Sequence, residues 1–321
     1  MSILHRPHFH DEAAAFEYVE AALWPQGPVC PHCGCMGRIS VLAPFAGSKS
    51  KKHPEGALRV GVKFCGDCRK QFTVRVGTIF EESKLPMTKW LQAIFLMVSS
   101  KKGVSSHQLM RTLETTYKTA WFLSHRVREA MREGDLAPFG SGGGDVEVDE
   151  TYIGVEPGTQ NRTGGVDKMK VLRLIDRTTG RSRSMVLDNV NTRTIAEAVS
   201  ANLAQEARLI TDQATYYKRV GATFAAHVTV NHSVKEYVSK LDPSVHTNTI
   251  EGSFSIFKRG MRGVYQHCAK KHLHRYLAEF DFRYSHRVAL GIGDEERAGI
   301  ALDGFRGRRL TYRGPDFRPK A

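Results

Sequence analysis

Apolar positions recur along the chain with two different periods, and each change of period marks a boundary. From about His10 to Leu23, Phe16, Val19 and Leu23 fall on one face of a short helix, which Trp24-Pro25 stops. The stretch that follows alternates. Leu58, Val60 and Val62 lead into Phe64, and Phe72, Val74 and Val76 repeat the period of two, which is β-hairpin material. From Met87 the period lengthens, and Leu91, Ile94, Phe95 and Val98 line one helical face. Gly103 interrupts this pattern, Ser105 is placed to cap a second helix marked by Leu109 and Leu113, and a third helix runs from about Thr116 to Met131. The run Gly140-Ser141-Gly142-Gly143-Gly144 has four glycines in five positions and reads as a linker.

Beyond the glycines, strands are expected over Val146 to Thr151, Met169 to Asp176 and Ser182 to Leu187. A helix with Ile195, Val199 and Leu203 on one face follows. Then come a short apolar strand from Ala207 to Thr211 that ends at Asp212, and another from Val228 to Val230. The remainder to about Arg287 reads as helix. This order predicts a mixed α/β sheet with helices on its faces. The expected organisation is a β-rich module over 10–85, a helical segment over 86–139, an α/β domain over 145–290 and a basic tail over 291–321, rich in Arg, Gly and Pro from about Arg306.

The 321 residues are 41% hydrophobic and 25% charged, an ordinary globular composition with room for about two domains. Charge changes the picture. Forty-seven Lys and Arg against 33 Asp and Glu leave a net charge of +14, which points to a polyanionic partner, nucleic acid first, or else to a solvated basic surface. The longest apolar run, about Ile94 to Val98, is far short of a membrane span, so no membrane partner is expected. The N-terminus has no apolar signal region, and six cysteines do not make a secreted disulfide framework. These features lead to the expectation of a cytoplasmic chain that binds a metal.

Cys30-Pro31-His32-Cys33 and Cys65-Gly66-Asp67-Cys68 are two CxxC knuckles separated by 31 residues. Two thiolates fit on one tight turn, and two such turns complete a closed tetrahedral zinc site. The separation exceeds that of a usual ribbon, and the basic loop Phe45 to Gly56 accounts for the excess. Reduced turn cysteines or a redox pair are the bland alternatives. From Arg38 to Lys63 the module carries six Lys or Arg against one Glu, which suits a nucleic-acid or protein adaptor. Residues 101–133 carry seven Lys or Arg and three Glu, and their three helices fit a helix-turn-helix arrangement. The third helix would then offer Lys118, His125, Arg126 and Arg128 to DNA. The same pattern also fits a plain three-helix packing unit with a solvated face.

Val146-Glu147-Val148-Asp149-Glu150-Thr151 places an acid in or just after a strand, and Leu209-Ile210-Thr211-Asp212 places another at a strand end. Downstream, His246-Thr247-Asn248-Thr249-Ile250-Glu251 opens a helix whose buried stripe is Ile250, Phe254, Phe257 and Met261. Glu251 and Lys258 are two turns apart on an adjacent face, roughly 10 Å along the axis. Two strand acids converging with a helical one make a site for two divalent cations, as phosphoryl transfer needs. Hard oxygen ligands select Mg2+ or Mn2+. Lys258 is placed to hold a DNA phosphate, and Arg259 and Arg262 extend the same basic face. Asn248 through Glu251 also fits a capping box with Asn248 as N-cap.

VEVDETYIG, LITDQATYY, HTNTIEGSFSIFKRGMRGVY and HLHRYLAEFDFRY, with WPQGPVCPHCG and FCGDCRKQFTVRVGTIFEESKLPMTKW upstream, resemble a group of bacterial insertion-sequence transposases from about Phe16 to Arg313. The resemblance implies an N-terminal zinc ribbon held by Cys30, Cys33, Cys65 and Cys68, and an integrase-like, ribonuclease H-like catalytic domain. It implies a DDE-type transposase that binds the terminal inverted repeats of its element, then cleaves DNA and transfers strands into a target, as a homo-oligomer on DNA at the bacterial nucleoid. Asp149 and Asp212 are carried over as the first two acids. For the third, Glu251 and Asn248 both belong to the motif, and Glu251 is preferred for its spacing to Lys258. A catalytically inactive zinc-ribbon regulator of DNA is the competing function, and a structure-selective nuclease a further one.

Overall fold

A computed structural model describes residues 2–49, 54–56, 58–132, 137–156, 168–234, 236–308 and 310. The described residues fall into two compact units: those within 1–99, 106–130 and 294–310 form the first, and those within 100–105 and 131–293 the second.

In the first unit, α1 (Glu12–Leu23) starts at Asp11, whose carboxylate accepts the Ala14 N–H at 2.7 Å, and buries Ala15, Phe16, Val19 and Leu23. The ribbon consists of β1 (Ile39–Val41), β2 (Phe45–Ala46), β3 (Leu58–Arg59), β4 (Lys63–Cys65) and β5 (Gln71–Phe72). They pair as an antiparallel β1-β4-β5 sheet and a separate β2-β3 hairpin. Its small core joins Cys30, Cys65 and Phe72. Gly61 has φ +68°, and a Cβ there would lie 2.3 Å from the Phe16 ring, so α1 packs onto the ribbon only because that position is glycine.

The alternation at Val74 and Val76 does not continue as a strand. The chain turns there, because Arg75 folds inward and donates to the Ser83 and Leu85 carbonyls and to Glu12. Three helices follow as expected: α2 (Met87–Ser99), α3 (Ser106–Thr112) and α4 (Tyr117–Ala130). Glu12 caps the first of them through the Met87 and Thr88 N–H groups. Residues 294–303, expected within a tail, form a helix that packs on α1 and α2 and inserts Ala301 and Leu302. Residues 311–321 lie outside the described residues.

The second unit is built on β6 (Asp145–Ile153), β7 (Met169–Asp176) and β8 (Ser182–Leu187), then α5 (Thr192–Ser200), β9 (Arg208–Asp212), α6 (Thr215–Gly221) and β10 (Ala226–Val230), and finally α7 (Asn248–Gly260) and α8 (Lys270–Ser285). The five strands lie in the order β10-β9-β6-β7-β8. β6, β7 and β8 form an antiparallel meander, while β9 and β10 run parallel to β6. This is the ribonuclease H-like mixed sheet. Val146, Val148, Leu172, Leu174 and Leu209 pack with α5 and α6 on one face. Ile153, Val171 and Ile175 pack on the other face with the Ile250, Phe254, Phe257 and Met261 stripe of α7 and with α8. The glycine run is no free tether. It turns tightly, the Gly140 N–H donates to the Asp176 carboxylate at 3.2 Å, and a Cβ on Gly140 would meet Ala207 at 2.5 Å. The helix expected to continue to Arg287 is interrupted after α7 by a π turn, Met261–Tyr265.

Candidate active site

The two CxxC knuckles meet as expected. The Sγ atoms of Cys30, Cys33, Cys65 and Cys68 all lie within 4.8 Å of one another, with Cys30 to Cys68 at 3.7 Å and Cys33 to Cys65 at 3.6 Å. Four converging thiols with no other donor suit a closed zinc site whose role is to hold the ribbon together. Cys35 stands outside this quartet.

The acids are assembled by strand register. β6 pairs with β9 from Asp145↔Arg208 to Glu147↔Ile210. Asp149 and Asp212 each follow two residues beyond the last of these pairs, near enough for the Asp212 charge to act on Asp149. Asp149 sits within β6, one of the two placements expected for it, and Asp212 is the last residue of β9, as expected. α7 crosses the same face and brings Glu251, Ser255, Lys258 and Arg259, with Arg262 from the π turn after it, into an open cleft of about 420 Å³ with Asp149, Glu150 and Thr151; Asp212 is not among the residues that line it. Asn248 is exposed, does not line the cleft and does not cap the helix: the N-cap is Thr247. The Thr247 hydroxyl donates to Glu251 Oε1 at 2.8 Å, and His232 Nε2 lies 3.3 Å from the same oxygen.

Charge is concentrated here. Burial pushes Asp149 up to about 8, helped by the negative charges of Glu150, Asp212 and Glu251. Burial also raises Glu150, against hydrogen bonds from the Tyr216 and Tyr217 hydroxyls, the latter at 2.8 Å. Burial lowers Lys258, as does the Arg262 charge, while Asp149 acts in the opposite direction. Among the described residues, the cysteine quartet is the set of three or more ligand groups that crowds within 4.8 Å; the acids feel one another's charge at wider spacing. Their hard oxygen donors suit Mg2+ or Mn2+.

The helical basic residues divide. Lys118 is exposed, but His125, Arg126 and Arg128 are buried in the first unit at 1%, 5% and 1% exposure. Arg126 donates to the Glu81 carbonyl at 2.7 Å and lies over the Trp90 and Phe122 rings, and Arg128 donates to Ser124 Oγ at 2.9 Å. Both guanidiniums are spent on packing, which removes Arg126 and Arg128 from the DNA-facing set. Arg259 and Arg262 remain exposed at the cleft.

Sequence reasoning missed Glu147, Glu150, Arg177 and His232. The Tyr216-Tyr217 pair that holds Glu150 lies in a quoted motif, so its proximity to the acids was readable. Glu147 carried no such signal.

Residues 142–285 match the ISXO2-like transposase domain, and residues 10–71 match the transposase zinc-ribbon domain. The chain is 28% identical over 296 residues to an uncharacterized protein in transposable element ISH50 of Halobacterium salinarum, covering 86% of this chain and 91% of that protein. A solved structure of the simian T-cell lymphotropic virus intasome in complex with PP2A regulatory subunit B56 gamma is similar at 12% identity and a TM-score of 0.28, over 54% of this chain and 63% of that chain, too loose a superposition to bear on function. No helix among the described residues is long and apolar enough to cross a membrane. The two domain matches span more than half of the chain in the order ribbon then catalytic domain, and the chain belongs to the insertion-sequence transposases with an N-terminal zinc ribbon and a DDE-type domain.

Proposed function

We propose that this transposase binds the terminal inverted repeats of its own element and performs metal-dependent DNA cleavage and strand transfer at Asp149 and Glu251 of this cleft together with the neighbouring Asp212. The observation that carries the reading is the pairing of opposites in one cleft. Acids from β6 and α7 share it with Lys258, Arg259 and Arg262, and burial, with the charges of Glu150, Asp212 and Glu251 added to it, raises Asp149 until it favours its protonated form at neutral pH. A site that concentrates negative charge in this way is one a cation relieves.

Asp149, Asp212 and Glu251 would hold Mg2+ or Mn2+, which supplies activation of the attacking oxygen and stabilisation of the leaving oxygen at the scissile phosphate. Lys258 and the exposed Arg259 and Arg262 bind flanking phosphates and set the register of the strand over the acids. Glu150 stays bound to the two tyrosines and holds α6 to β6. Strand transfer needs two ends held together, so the working form contains at least two copies.

The test is incubation of the zinc-loaded protein with Mg2+ and a plasmid carrying candidate element ends. Nicking at the ends followed by strand transfer, lost in Asp149→Ala and Asp212→Ala, is expected. Binding of ends with no cleavage by the parent protein under any divalent cation would leave the inactive regulator. Cleavage without preference for the ends would leave a structure-selective nuclease.

A further inference from the structure

Glu147 lies two residues before Asp149 on β6, so both side chains leave the strand on the α7 face. Yet Glu147 is fully buried and does not line the cleft. Its Oε2 accepts the N–H of Ile250 in the first turn of α7 at 2.8 Å. Its Oε1 accepts Arg177 Nε at 2.6 Å. Arg177 carries the connection onward: Nη2 donates to the His246 carbonyl at 2.6 Å and Nη1 to the Ser244 carbonyl at 2.5 Å. His246 Nδ1 lies 2.8 Å from Arg177 Nη2 and 3.6 Å from Glu147 Oε1.

The start of α7 has no side-chain cap of its own, since Thr247 makes no capping hydrogen bond and spends its hydroxyl on Glu251. A carboxylate 103 residues away in sequence does the capping instead. The amide it grips belongs to the residue immediately before Glu251. Any slip of this turn therefore moves the Glu251 carboxylate relative to Asp149 by a similar amount. A fully buried carboxylate is weak evidence for stability, because desolvation offsets much of what its ion pair contributes. Geometry is what it supplies here.

We propose that the Glu147–Arg177 pair is a positioning device that fixes the first turn of α7 against β6, and so sets the spacing at which Asp149 and Glu251 take a divalent cation. The proposal rests on the reading of those acids as the cation site. Mg2+ demands near-ideal octahedral oxygen geometry at roughly 2.0–2.1 Å, which makes such a site sensitive to where its ligands are held.

The probe is Mn2+, titrated by calorimetry into the full-length, zinc-loaded chain. Glu147→Gln keeps the size and removes the charge. Arg177→Lys keeps every charge and removes the fixed fork to Ser244 and His246, so any loss it causes comes from position and not from charge. Each variant is expected to bind Mn2+ about tenfold more weakly, the lower end for changes to groups that orient metal ligands. Zinc content and cation-free binding of element ends should be unchanged. The Mn2+ concentration that half-saturates cleavage should rise by the same factor, with the rate recovering at saturation, and the Ile250 amide should exchange faster. A purely structural role would lower thermal stability and leave the Mn2+ affinity alone. Mn2+ affinity within twofold of the parent in folded Arg177→Lys overturns the proposal, and this variant decides if Glu147→Gln does not fold. Asp149→Ala separates the two readings. If it binds Mn2+ like the parent, the cation-site reading fails; if it alone loses binding, only the positioning proposal fails.

Discussion

Asp149→Asn should stabilise the cation-free protein while abolishing cleavage. The carboxylate lies on β6 with Asp212 at the end of the neighbouring strand and Glu251 across the cleft, and burial with these charges raises it from 3.8 to about 8. The sign follows from linkage. A carboxyl whose folded value lies above its unfolded value contributes stability that is complete below the unfolded value and lost as pH rises through the folded one. The parent should therefore lose stability relative to the neutral Asn variant between about pH 4 and pH 8, and no further above that. The interval is about four pH units, and at roughly 1.4 kcal/mol per unit the ceiling is about 6 kcal/mol. Partial solvent access at the open cleft screens the charges, so an advantage of about 2–3 kcal/mol at pH 8.5 is the working figure.

Calorimetric melting at pH 4.5 and pH 8.5, without chelator so that the ribbon keeps its zinc, is the assay. The two proteins should melt together at the lower pH and separate at the higher, with the variant more stable. Added Mg2+ should raise the parent transition and leave the variant unmoved. A variant that melts at or below the parent at pH 8.5, or an advantage that persists undiminished at pH 4.5, would refute the argument. Such a trade of stability against activity is common where a site is built to receive a cation.

Other consequences follow from particular contacts. Cys33→Ser should release about one zinc per chain, measured by metal analysis, and unfold the ribbon while the 131–293 unit keeps its own transition. Arg126→Ala should destabilise the first unit by about 2–4 kcal/mol in thermal unfolding, because it removes the hydrogen bond to the Glu81 carbonyl and empties the space over Trp90 and Phe122; loss of end binding in the folded variant without any drop in melting temperature would instead restore Arg126 to the DNA surface. Glu251→Gln should be as inactive in cleavage as Asp149→Asn, whereas Asn248→Ala, exposed and outside the cleft, should keep activity within about twofold and cost under 1 kcal/mol. Arg262→Ala should weaken DNA binding and reduce its salt dependence by about one phosphate contact, read from affinity against salt concentration.

The sheet was legible because its strands obey local rules. β7 and β8 coincide with the apolar runs from Met169 and from Ser182, and the Ile250, Phe254, Phe257 and Met261 stripe is buried as its spacing requires. Where local rules failed, a residue distant in sequence had intervened. Val74 and Val76 keep strand periodicity but turn, because Arg75 is captured by Glu12 of another element. Residues 294–303 looked like a basic tail because the Arg-rich end obscured one short amphipathic helix. Arg126 and Arg128 looked like DNA contacts because charge is normally a surface property; the rings over Arg126, and the burial of Arg128 with its bond to Ser124, reverse that expectation.

The site divides along the same line. Asp149, Asp212, Glu251 and Lys258 stand in motifs whose chemistry is visible residue by residue. Asn248 fits a capping box on paper, yet the Glu251 N–H that it would cap donates to the Thr247 carbonyl at 3.0 Å, so Thr247 is the N-cap, and Glu147 takes the neighbouring Ile250 N–H. In a one-dimensional pattern, the Glu of Val146-Glu147-Val148 is an acid interrupting an apolar strand, and its obvious destination is solvent. The fold sends it the other way, because the strand alternation that turns Asp149 toward α7 turns Glu147 there too. The acid nearest the helix start then has no water to face and must find its partners in the Ile250 amide and Arg177. The alternation that aims Asp149, proposed as the first catalytic acid, thus also places the residue proposed to hold Glu251.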